Sequence, residues 1–386
     1  MEAVGGRRAR GWRRSVARLN WFAAPAIVSA GYWLFAFVSS LRRSNYSPSS
    51  FPPVSILKPI RGRDDAFAEA IASHATQDYS EFEILFGISD PQDPARRDIE
   101  NLIHAFPNIP IRLIVCDCGA PNGKVGVLET LAAQARHPVL VVSDSDIRVE
   151  PGYLRSVVAA LMGEGVGLAT CLYRAAGRSF AARSEALGIA TEFVPSVLVA
   201  RQIGVNEFAM GSTLAFRAAD LARFGGFHAI RDYLADDYQL GKHISEIGLR
   251  VVLAEPVVET GLGAGTWGDV WKHQVRWSRT VRVSRTAGYF GYAVTHATVF
   301  ALLAGLTGSP AVGALVLIVR MLAGLHITAL VLRDRRSLTL WWWMPARDLF
   351  GFAVWLAGCF GNSVEWRGSK LTIDPRGRIS SAVTGK

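Results

Sequence analysis

The run Val139-Leu140-Val141-Val142-Ser143-Asp144-Ser145-Asp146 joins four apolar residues to a pair of carboxylates. A short, valine-rich apolar run of this kind predicts a buried strand. Similar runs precede it at residues 54–57, 82–88 and 111–115, and their spacing leaves room for a helix between most neighbours. Strand and helix repeated in this way predict an α/β fold class, in which a mostly parallel sheet carries helices on both faces.

In sheets of this kind, ligands bind beyond the carboxyl ends of the strands. Asp90, Asp117 and Asp144 each come just after an apolar run. Asp144 and Asp146 can therefore bind a divalent cation that bridges them to a diphosphate, and such oxygen ligation suits Mg²⁺ or Mn²⁺. Each acid also has an ordinary structural explanation, because Asp before Pro is a common turn starter and Asp144 can cap the next helix.

A second acidic pair, Asp236-Asp237, precedes an apolar helix-like stretch. Two adjacent acids are costly if both are buried and unpaired. The alternative is the solvated first turn of a helix, which the helix dipole favours. Further along, the segment His273-Gln274-Val275-Arg276-Trp277 mixes basic and aromatic residues at helical spacing, which also suits an amphipathic helix on a membrane surface.

These two segments supply the groups that sugar transfer requires. A carboxylate such as Asp237 can deprotonate a hydroxyl, and an arginine such as Arg276 can neutralise a departing diphosphate. Inverting transfer from a nucleotide-sugar needs one group of each kind. Lys124, within Asn122-Gly123-Lys124-Val125, can lie near phosphate, although a lone surface lysine is the ordinary interpretation.

Apolar residues cluster in stretches long enough to cross a membrane. The chain has 386 residues, 50% of them hydrophobic, and a mean hydropathy of +0.22. No charged residue occurs between Arg18 and Arg42. A helix over this stretch is long enough to span a bilayer core of about 30 Å.

The C-terminal part of the chain is similarly apolar. Arg320 is the only Asp, Glu, Lys or Arg in residues 286–332, and Gly308-Ser309-Pro310 divides this stretch into two candidate spans. A third, shorter candidate covers about 349–364, so we expect four membrane segments in all. The predicted regions are a basic N-terminus with a transmembrane or interfacial segment (1–50), the α/β domain (51–285), C-terminal membrane segments (286–364) and a basic tail (365–386).

The net charge of +10 does not indicate a nucleic-acid partner. Much of the excess lies beside the predicted spans, where basic residues face anionic lipid headgroups. These residues are Arg7, Arg8, Arg10, Arg13, Arg14, Arg18, Arg333, Arg335 and Arg336. The four cysteines, Cys116, Cys118, Cys171 and Cys359, form no recognisable disulfide or zinc pattern.

Taken in order, the motifs resemble those of membrane-bound family 2 type glycosyltransferases with a GT-A fold. Within that group the chain looks most like the ceramide glucosyltransferase branch, and is similar to the glycosyltransferase of hopanoid biosynthesis. The resemblance covers roughly residues 50 to 290, and several motifs in the right order are more specific than any one. The segments that carry it are 55–62, Asp90, Asn122-x-Lys124, 144–149, 166–174, 235–238, His273-x-x-Arg276-Trp277 and 364–368.

The resemblance implies a role for each site residue. Asp90 and Lys124 would help to hold the nucleotide, and Asp144 and Asp146 would serve the ribose and the metal. Asp237 would be the catalytic base, and Arg276 with Trp277 would close the site. Asp236 and His273 complete the substrate-binding set. His273 occupies a position that is usually Gln or Arg, and because histidine titrates near neutrality it is not a fixed positive charge.

The predicted function is therefore inverting transfer of a sugar from a UDP-sugar to the hydroxyl of a membrane lipid of the ceramide or hopanoid type. Because UDP-sugars are cytosolic, we expect an integral protein of a bacterial cytoplasmic membrane with its catalytic domain in the cytosol. The six arginines before the first span oppose this orientation. Either that segment lies in the membrane interface as a re-entrant or surface element, or the start of the sequence adds a basic tail.

Two other functions remain open at this stage. A processive polysaccharide synthase uses the same donor chemistry but needs a channel for its growing chain, and three C-terminal spans are few for that purpose. A membrane transporter or scaffold would need functional charges inside the membrane. Only Arg320, His296 and His326 are available there.

Overall fold

The computed structural model describes residues 8–42, 46, 50–117, 119–366 and 369–383. Its centre is an eight-stranded sheet with the order β3-β2-β1-β4-β7-β6-β8-β5. The strands are β1 Val54–Ile60, β2 Phe82–Ile88, β3 Ile111–Val115, β4 Val139–Val142, β5 Ile147–Arg148, β6 Val166–Gly177, β7 Leu214–Arg217 and β8 Arg250–Gly263. The predicted fold class is confirmed, and the four strands predicted from the sequence are β1 to β4.

The sheet has a parallel half and a mixed half. Strands β3, β2, β1 and β4 run parallel. Beyond them, β7 pairs antiparallel with both β4 and β6, and β6 pairs parallel with β8. The short strand β5 pairs antiparallel with β8, which brings the segment after β4 against the far side of the sheet.

Fifteen α-helices lie in the described residues. They are α1 Arg8–Ser40, α2 Phe67–Ala75, α3 Arg96–Ala105, α4 Gly123–Gln134, α5 Tyr153–Leu161, α6 Phe180–Gly188, α7 Val194–Gln202, α8 Ala218–Ala222, α9 Asp236–Glu246, α10 Trp267–Ser284, α11 Thr286–Gly291, α12 Ala297–Leu306, α13 Pro310–His326, α14 Arg335–Leu338 and α15 Met344–Gly358.

Helices cover both faces of the sheet because successive strand residues point to opposite sides. In β1, Ile56 belongs to the core shared with α2, α3 and α5, whereas Leu57 belongs to the core shared with α4 and α9. In β4, Val141 and Val142 divide in the same way. Both faces are therefore buried, as the nearly continuous apolar runs predicted.

Two helices in the described residues are long and apolar enough to cross a membrane. They are the Ala23–Ser40 part of α1 and the stretch Pro310–Val331, which extends α13 by a π-helical turn. A third span exists if Thr286–Thr295 and Ala297–Leu306, which meet at a bend of 53°, cross together. The sequence predicted four segments, and the described part of the chain offers two or three.

The remaining predicted segment, 349–364, corresponds to α15, which has 15 residues and begins earlier, at Met344. The earlier start brings Arg347 and Asp348 inside the helix, and both side chains are buried. Each charge is paired, Asp348 with Arg320 at 2.6 Å and Arg347 with Glu192 at 3.4 Å. These pairs explain how a helix with two charges packs inside the protein.

The stretch expected to be a basic tail contains a small antiparallel sheet. Its strands are β9 Ser363–Trp366, β10 Ser369–Ile373 and β11 Ile379–Val383, in the order β11-β10-β9. The Leu234 amide donates to the Gly377 carbonyl at 3.2 Å, and the Ile379 amide donates to the Asp232 carbonyl at 2.7 Å. The C-terminal sheet therefore packs on the segment that leads into α9.

Candidate active site

One cavity of about 1670 Å³ contacts every residue predicted for the site. The residues come from the ends of β2 and β4, from the first turns of α4 and α9, and from α10. They are Asp90, Lys124, Asp144, Asp146, Asp236, Asp237, His273, Arg276 and Trp277. Asp117 does not line this cavity, because it follows β3 at the edge of the sheet.

Lys124 links two of the acidic motifs. Its Nζ lies 2.8 Å from Asp144 Oδ1 and 3.0 Å from Asp236 Oδ2. The side chain is 17% exposed, so it is not an ordinary surface lysine. Burial opposes the charged form, but the two carboxylates raise the pKa of Lys124 above its ordinary value. The ammonium therefore stays charged between them.

Asn122 explains why Lys124 reaches this position. It caps α4, because its side-chain oxygen accepts hydrogen bonds from the amides of Lys124 and Val125. Its Nδ2 donates to the Tyr233 carbonyl at 2.7 Å, and its own amide donates to the Arg231 carbonyl. The same residue thus holds the start of α4 against the segment before Asp236.

Asp237 lies in the first turn of α9 and is half-buried. Its Oδ2 accepts a hydrogen bond from the Gly211 amide at 3.0 Å. A methyl group at Gly211 would lie 3.1 Å from Asp144 Oδ2 and 3.5 Å from Lys124 Nζ, so the backbone passes between the charged groups. Burial and the neighbouring Asp236 raise the pKa of Asp237 to about 6, although Lys124 opposes this shift.

Asp144 and Asp146 follow β4 as the sequence predicted, and both face the cavity. Asp146 Oδ2 accepts a hydrogen bond from the Thr260 hydroxyl of β8. Burial and repulsion from Asp144 raise the pKa of Asp146 above its ordinary value. Two carboxylates that repel each other at the wall of the cavity suit a divalent cation that also binds diphosphate oxygens.

Lys58 contacts the loop that carries Asp144, and sequence analysis did not identify this role. It is fully buried, and its Nζ donates to the Asp144 carbonyl at 2.9 Å. His74 Nε2 lies 3.4 Å from the same ammonium. Burial lowers the pKa of Lys58 to about 7, with Asp146 and Asp144 acting in the opposite direction. A lysine inside a strand normally indicates an exposed face, so sequence patterning does not reveal such a contact.

Asp90 makes a turn contact and also lines the cavity. Its Oδ1 accepts a hydrogen bond from the Gln92 amide at 2.8 Å, which is the turn contact that the following proline favours. The residue is exposed and lines the cavity. Nearby, Asp93 Oδ2 accepts from the Gly62 amide at 2.7 Å and fixes this loop to the end of β1. Gly62 has φ +77°, a conformation that favours glycine.

His273 is held by a buried glutamate that the sequence analysis did not identify. Its Nδ1 lies 2.6 Å from Glu185 Oε1 of α6, and Gln274 Nε2 donates to the same oxygen at 2.9 Å. Burial opposes ionisation, but these hydrogen bonds hold the pKa of Glu185 below its ordinary value. A single glutamate in a sequence usually indicates solvent exposure, so no signal marked this partner.

The three tryptophans of α10 lie in different surroundings: one lines the cavity and two are partly exposed on the surface. Trp277 lines the cavity, with its ring 4.5 Å from that of His273 and 6.2 Å from that of Phe193. Trp267 and Trp271 are more than a third exposed and both contact Phe350. Arg276 is half-buried and also lines the cavity. The motif therefore presents Arg276 and Trp277 inward, and the other two tryptophans outward.

Two basic residues of α10, Arg279 and Arg282, donate hydrogen bonds to other parts of the protein. Arg279 donates to the carbonyls of Phe360 and Ser363. Arg282 donates to the carbonyls of Cys359 and Gly361 and to the Asn362 side chain. These bonds satisfy the end of α15 and the chain that enters β9. The C-terminal sheet is thus anchored to the helix that carries Arg276.

The same cavity continues from the carboxylates to the apolar helices. Tyr32 of α1, Thr295 before α12, and Val354 and Trp355 of α15 line its far end. The outer surfaces of these helices and of α13 carry exposed apolar side chains, including Ile27, Leu34, Leu302, Leu315, Ile318 and Leu356. One space therefore joins a polar end at the sheet to an end lined by Tyr32 of the candidate span in α1 and by Thr295 of the bent helix pair.

Known proteins share this fold and part of this sequence. The mannosyltransferase PcManGT from Pyrobaculum calidifontis, solved in complex with GDP-Man and Mn²⁺, matches with a TM-score of 0.54 at 16% identity, over 88% of this chain and 97% of that one. Ceramide glucosyltransferase 1 of Caenorhabditis elegans is 27% identical over 229 residues, which are 57% of this chain and 48% of the relative. Ceramide glucosyltransferase 3 of the same organism is 26% identical over 258 residues, 63% and 56% of the two chains.

The matches to these curated relatives span about half of each relative's length. The structural match supports the GT-A-like fold, which agrees with the mostly parallel sheet described above. A family model covers far more of the chain, from the candidate span in α1 to the C-terminal sheet. Residues 21–379 match glycosyl transferase family 21, and the chain belongs to that family.

Proposed function

We propose that the protein transfers a sugar from a UDP-sugar to the hydroxyl of a membrane lipid, with inversion at the anomeric carbon. The observation that carries this proposal is the single cavity, which has Lys124 and the acidic motifs at one end and candidate membrane helices at the other. A charged sugar nucleotide fits the first end, and a lipid that remains in the bilayer fits the second. The similarity to ceramide glucosyltransferases supports the same division.

Asp237 is the base in this proposal. As the lipid hydroxyl oxygen attacks the anomeric carbon, its proton passes to Asp237, and the bond from that carbon to the diphosphate oxygen breaks. Each carboxylate oxygen of Asp237 accepts one amide hydrogen bond, Oδ2 from Gly211 and Oδ1 from Tyr238 at 2.8 Å. Because a carboxylate oxygen has two lone pairs, either oxygen can still take the proton. A carboxylate with a pKa raised to about 6 is a stronger base than an ordinary aspartate and is still ionised at neutral pH.

Arg276 and Lys124 act on the leaving group. Arg276 lines the cavity from α10, and its charge would offset that of the departing UDP. Asp144 and Asp146 would hold Mg²⁺ or Mn²⁺, which supplies positive charge to the diphosphate. The mutual repulsion of these two acids fits such an ion, and PcManGT, which shares the fold, was solved with Mn²⁺.

The orientation follows from the donor. UDP-sugars are cytosolic, so the α/β domain would face the cytosol of a bacterial cell, with α1 and α13 in the cytoplasmic membrane. Trp267 and Trp271 would lie at the headgroup level, where tryptophan is enriched. The lipid hydroxyl would then approach Asp237 from the membrane side of the cavity.

Purified protein in lipid bilayers tests the proposal. It is incubated separately with radiolabelled UDP-glucose, UDP-galactose and UDP-N-acetylglucosamine and a total lipid extract, and the label is followed into organic solvent. We expect one donor to label a lipid. Asp237→Asn should cut this transfer by roughly 10²-fold or more with UDP binding nearly unchanged. Wild-type turnover by Asp237→Asn, or failure of all three donors to label lipid, would count against the proposal.

A further inference from the structure

The membrane-side half of the cavity contains a buried ion pair that sugar transfer does not explain. Arg347 of α15 lies 3.4 Å from Glu192, which is in the π-helical turn between α6 and α7. The two residues are 2% and 6% exposed, and both line the cavity. Burying two charges is costly, and one ion pair at this distance offsets only part of the cost.

The pair is incompletely hydrogen-bonded. Nε and Nη1 of Arg347 and Oε1 of Glu192 are buried and have no hydrogen-bond partner within the described residues. The hydroxyl of Thr295, which lines the same part of the cavity, is also without one there. A buried polar atom without a partner costs about 1–3 kcal/mol. These atoms offer both donors and acceptors to anything that enters.

Two glycines make room for the pair. A methyl group at Gly188 would overlap the Arg347 guanidinium, and one at Gly351 would lie 2.8 Å from Glu192 Oε2. Both glycines line the cavity as well. Any larger residue at either position would displace Arg347 or Glu192. The two glycines therefore indicate that the sequence provides space for this ion pair.

A neighbouring ion pair provides a contrast. Arg320 and Asp348 are also fully buried, but Nη2 of Arg320 donates to Asp348 at 2.6 Å and its Nε donates to both carboxylate oxygens at 3.2 Å. The Thr298 hydroxyl donates to the same carboxylate, and the guanidinium lies 4.0 Å from the ring centre of Trp33. Neither charge lines the cavity. Nη1 of Arg320 also lacks a hydrogen-bond partner in the described residues, but both carboxylate oxygens of Asp348 are bonded and the pair lies away from the cavity, as expected of a structural contact.

The incomplete pair is connected to the catalytic helix. Arg347 Nη2 donates to Gln274 Oε1 at 2.9 Å, and Gln274 in turn donates to Glu185, which holds His273. Gln274 follows His273 in the motif that contains Arg276. A group bound at Arg347 is therefore connected to His273 through the side chains of Gln274 and Glu185.

We propose that Arg347 and Glu192 form a second polar subsite, which recognises the acceptor lipid by a hydrogen-bonding group other than its reacting hydroxyl. The inference rests on the proposed function. Arg347 would donate to a carbonyl or hydroxyl oxygen, and Glu192 Oε1 would accept from an N–H or O–H of the same lipid. The preferred acceptor is then a lipid alcohol with an amide or a further hydroxyl near the reacting hydroxyl. A lipid with a single isolated hydroxyl would be a poor acceptor.

Two matched acceptors test this subsite with the full-length protein in bilayers. One is an N-acylated long-chain amino alcohol, and the other is an ether lipid with the same chains and reacting hydroxyl but no amide. The variant Arg347→Gln combined with Glu192→Gln removes both charges together, so no lone buried charge remains. We expect wild type to prefer the amide lipid by roughly tenfold or more in kcat/KM, and the double variant to lose that preference with KM for the UDP-sugar unchanged.

The combination of Arg320→Gln with Asp348→Asn is the matched control, because it removes a buried pair of the same kind outside the cavity. It should lower the melting temperature without changing the acceptor preference. Retention of the wild-type preference by the cavity variant, or the absence of a preference in wild type, would overturn the subsite while leaving the transfer reaction intact.

Binding of the two lipids, measured by native mass spectrometry with UDP present, keeps the subsite testable without turnover. The proposed function itself fails only if no donor labels the total lipid extract. Failure to glycosylate either matched lipid therefore counts against the subsite's choice of acceptor and leaves the transfer reaction to that separate test. The subsite then stands only if wild type binds the amide lipid more tightly than the ether lipid and the cavity variant does not. Equal binding of both lipids by wild type would contradict the proposed subsite.

Discussion

Lys124 lies between Asp144 and Asp236, and its position determines the charge balance of the site. Lys124 interacts with Asp144, Asp236 and Asp237, and Asp146 interacts with Asp144 and with the buried Lys58, so four carboxylates share two lysines. Without ligands, the site therefore has an excess of negative charge. A divalent cation that arrives with the donor would reduce it, and the diphosphate would then be held between that cation and the basic residues Lys124 and Arg276.

This arrangement predicts that activity depends on a cation held by Asp144 and Asp146. Turnover should fall strongly in excess EDTA and return with Mg²⁺ or Mn²⁺, and Asp146→Ala should weaken Mn²⁺ binding measured by electron paramagnetic resonance. Asp78→Ala is a suitable control, because Asp78 is 77% exposed and lies in a loose surface pair. Undiminished turnover in EDTA together with full activity of Asp146→Ala would contradict the assignment.

The pKa of Asp237 predicts a pH dependence. The base must be ionised to accept a proton, so kcat/KM should rise as the pH increases through about 6 and then level off. The charged groups that act on Asp237 are Asp236, Lys124 and Asp144. Asp236→Asn removes the largest like charge and should move the inflection to lower pH. An inflection that stays in place in this variant would show that another group titrates.

The residues predicted for the site line one cavity, because they belong to local motifs at strand and helix ends that the sequence makes visible. Asn122, Lys124, Asp144 and Asp237 each follow or begin an element whose apolar pattern was clear. Lys58, Gly211 and Glu185 were not predicted. Their roles arise from contacts between segments distant in the chain, such as the 2.6 Å contact between Glu185 and His273.

At the scale of elements, α10 connects the active site to the C-terminal part of the protein. Thr266 and Asp269 form a capping box at its start, and Arg282 binds the segment after α15 near its end. The C-terminal sheet in turn holds the segment before α9 through Leu234 and Ile379. The helices that carry Arg276 and Asp237 are therefore braced by the same small sheet.

Loss of this brace should affect both stability and activity. Arg282→Ala removes donors to Cys359, Gly361 and Asn362, and we expect a loss of about 1–3 kcal/mol in stability with a several-fold drop in kcat. Thermal unfolding and initial rates measure the two effects. Lys242→Ala is the matched control, because its exposed pair with Glu246 at 3.8 Å contributes little. Equal behaviour of the two variants would exclude the bracing role.

The elements that the sequence predicted well are those with local signals. Strands β2, β3 and β4 have the predicted bounds, because each is a short apolar run with clear ends. The mixed half of the sheet was not anticipated, since the antiparallel pairing of β7 with β4 joins segments far apart in sequence. The start of α15 was also missed, because the partners of its two charges lie on other helices.

At the scale of the whole molecule, the chain combines a GT-A-like domain with helices suited to a membrane. The two parts share one cavity, so a donor and a lipid can meet without either leaving its own phase. The buried arginines Arg320 and Arg347 are paired with Asp348 and Glu192. Membership of glycosyl transferase family 21 agrees with the transfer reaction.

The central claim is a single inverting transfer to a lipid, and the structure of the reaction product tests it most directly. The protein in bilayers is supplied with its UDP-sugar and a lipid acceptor, and the product is analysed by thin-layer chromatography, mass spectrometry and nuclear magnetic resonance. We predict a lipid that carries one added sugar, with an anomeric configuration opposite to that of the donor. A water-soluble polymer of many sugar units formed without lipid, or a product with retained configuration, would contradict the account.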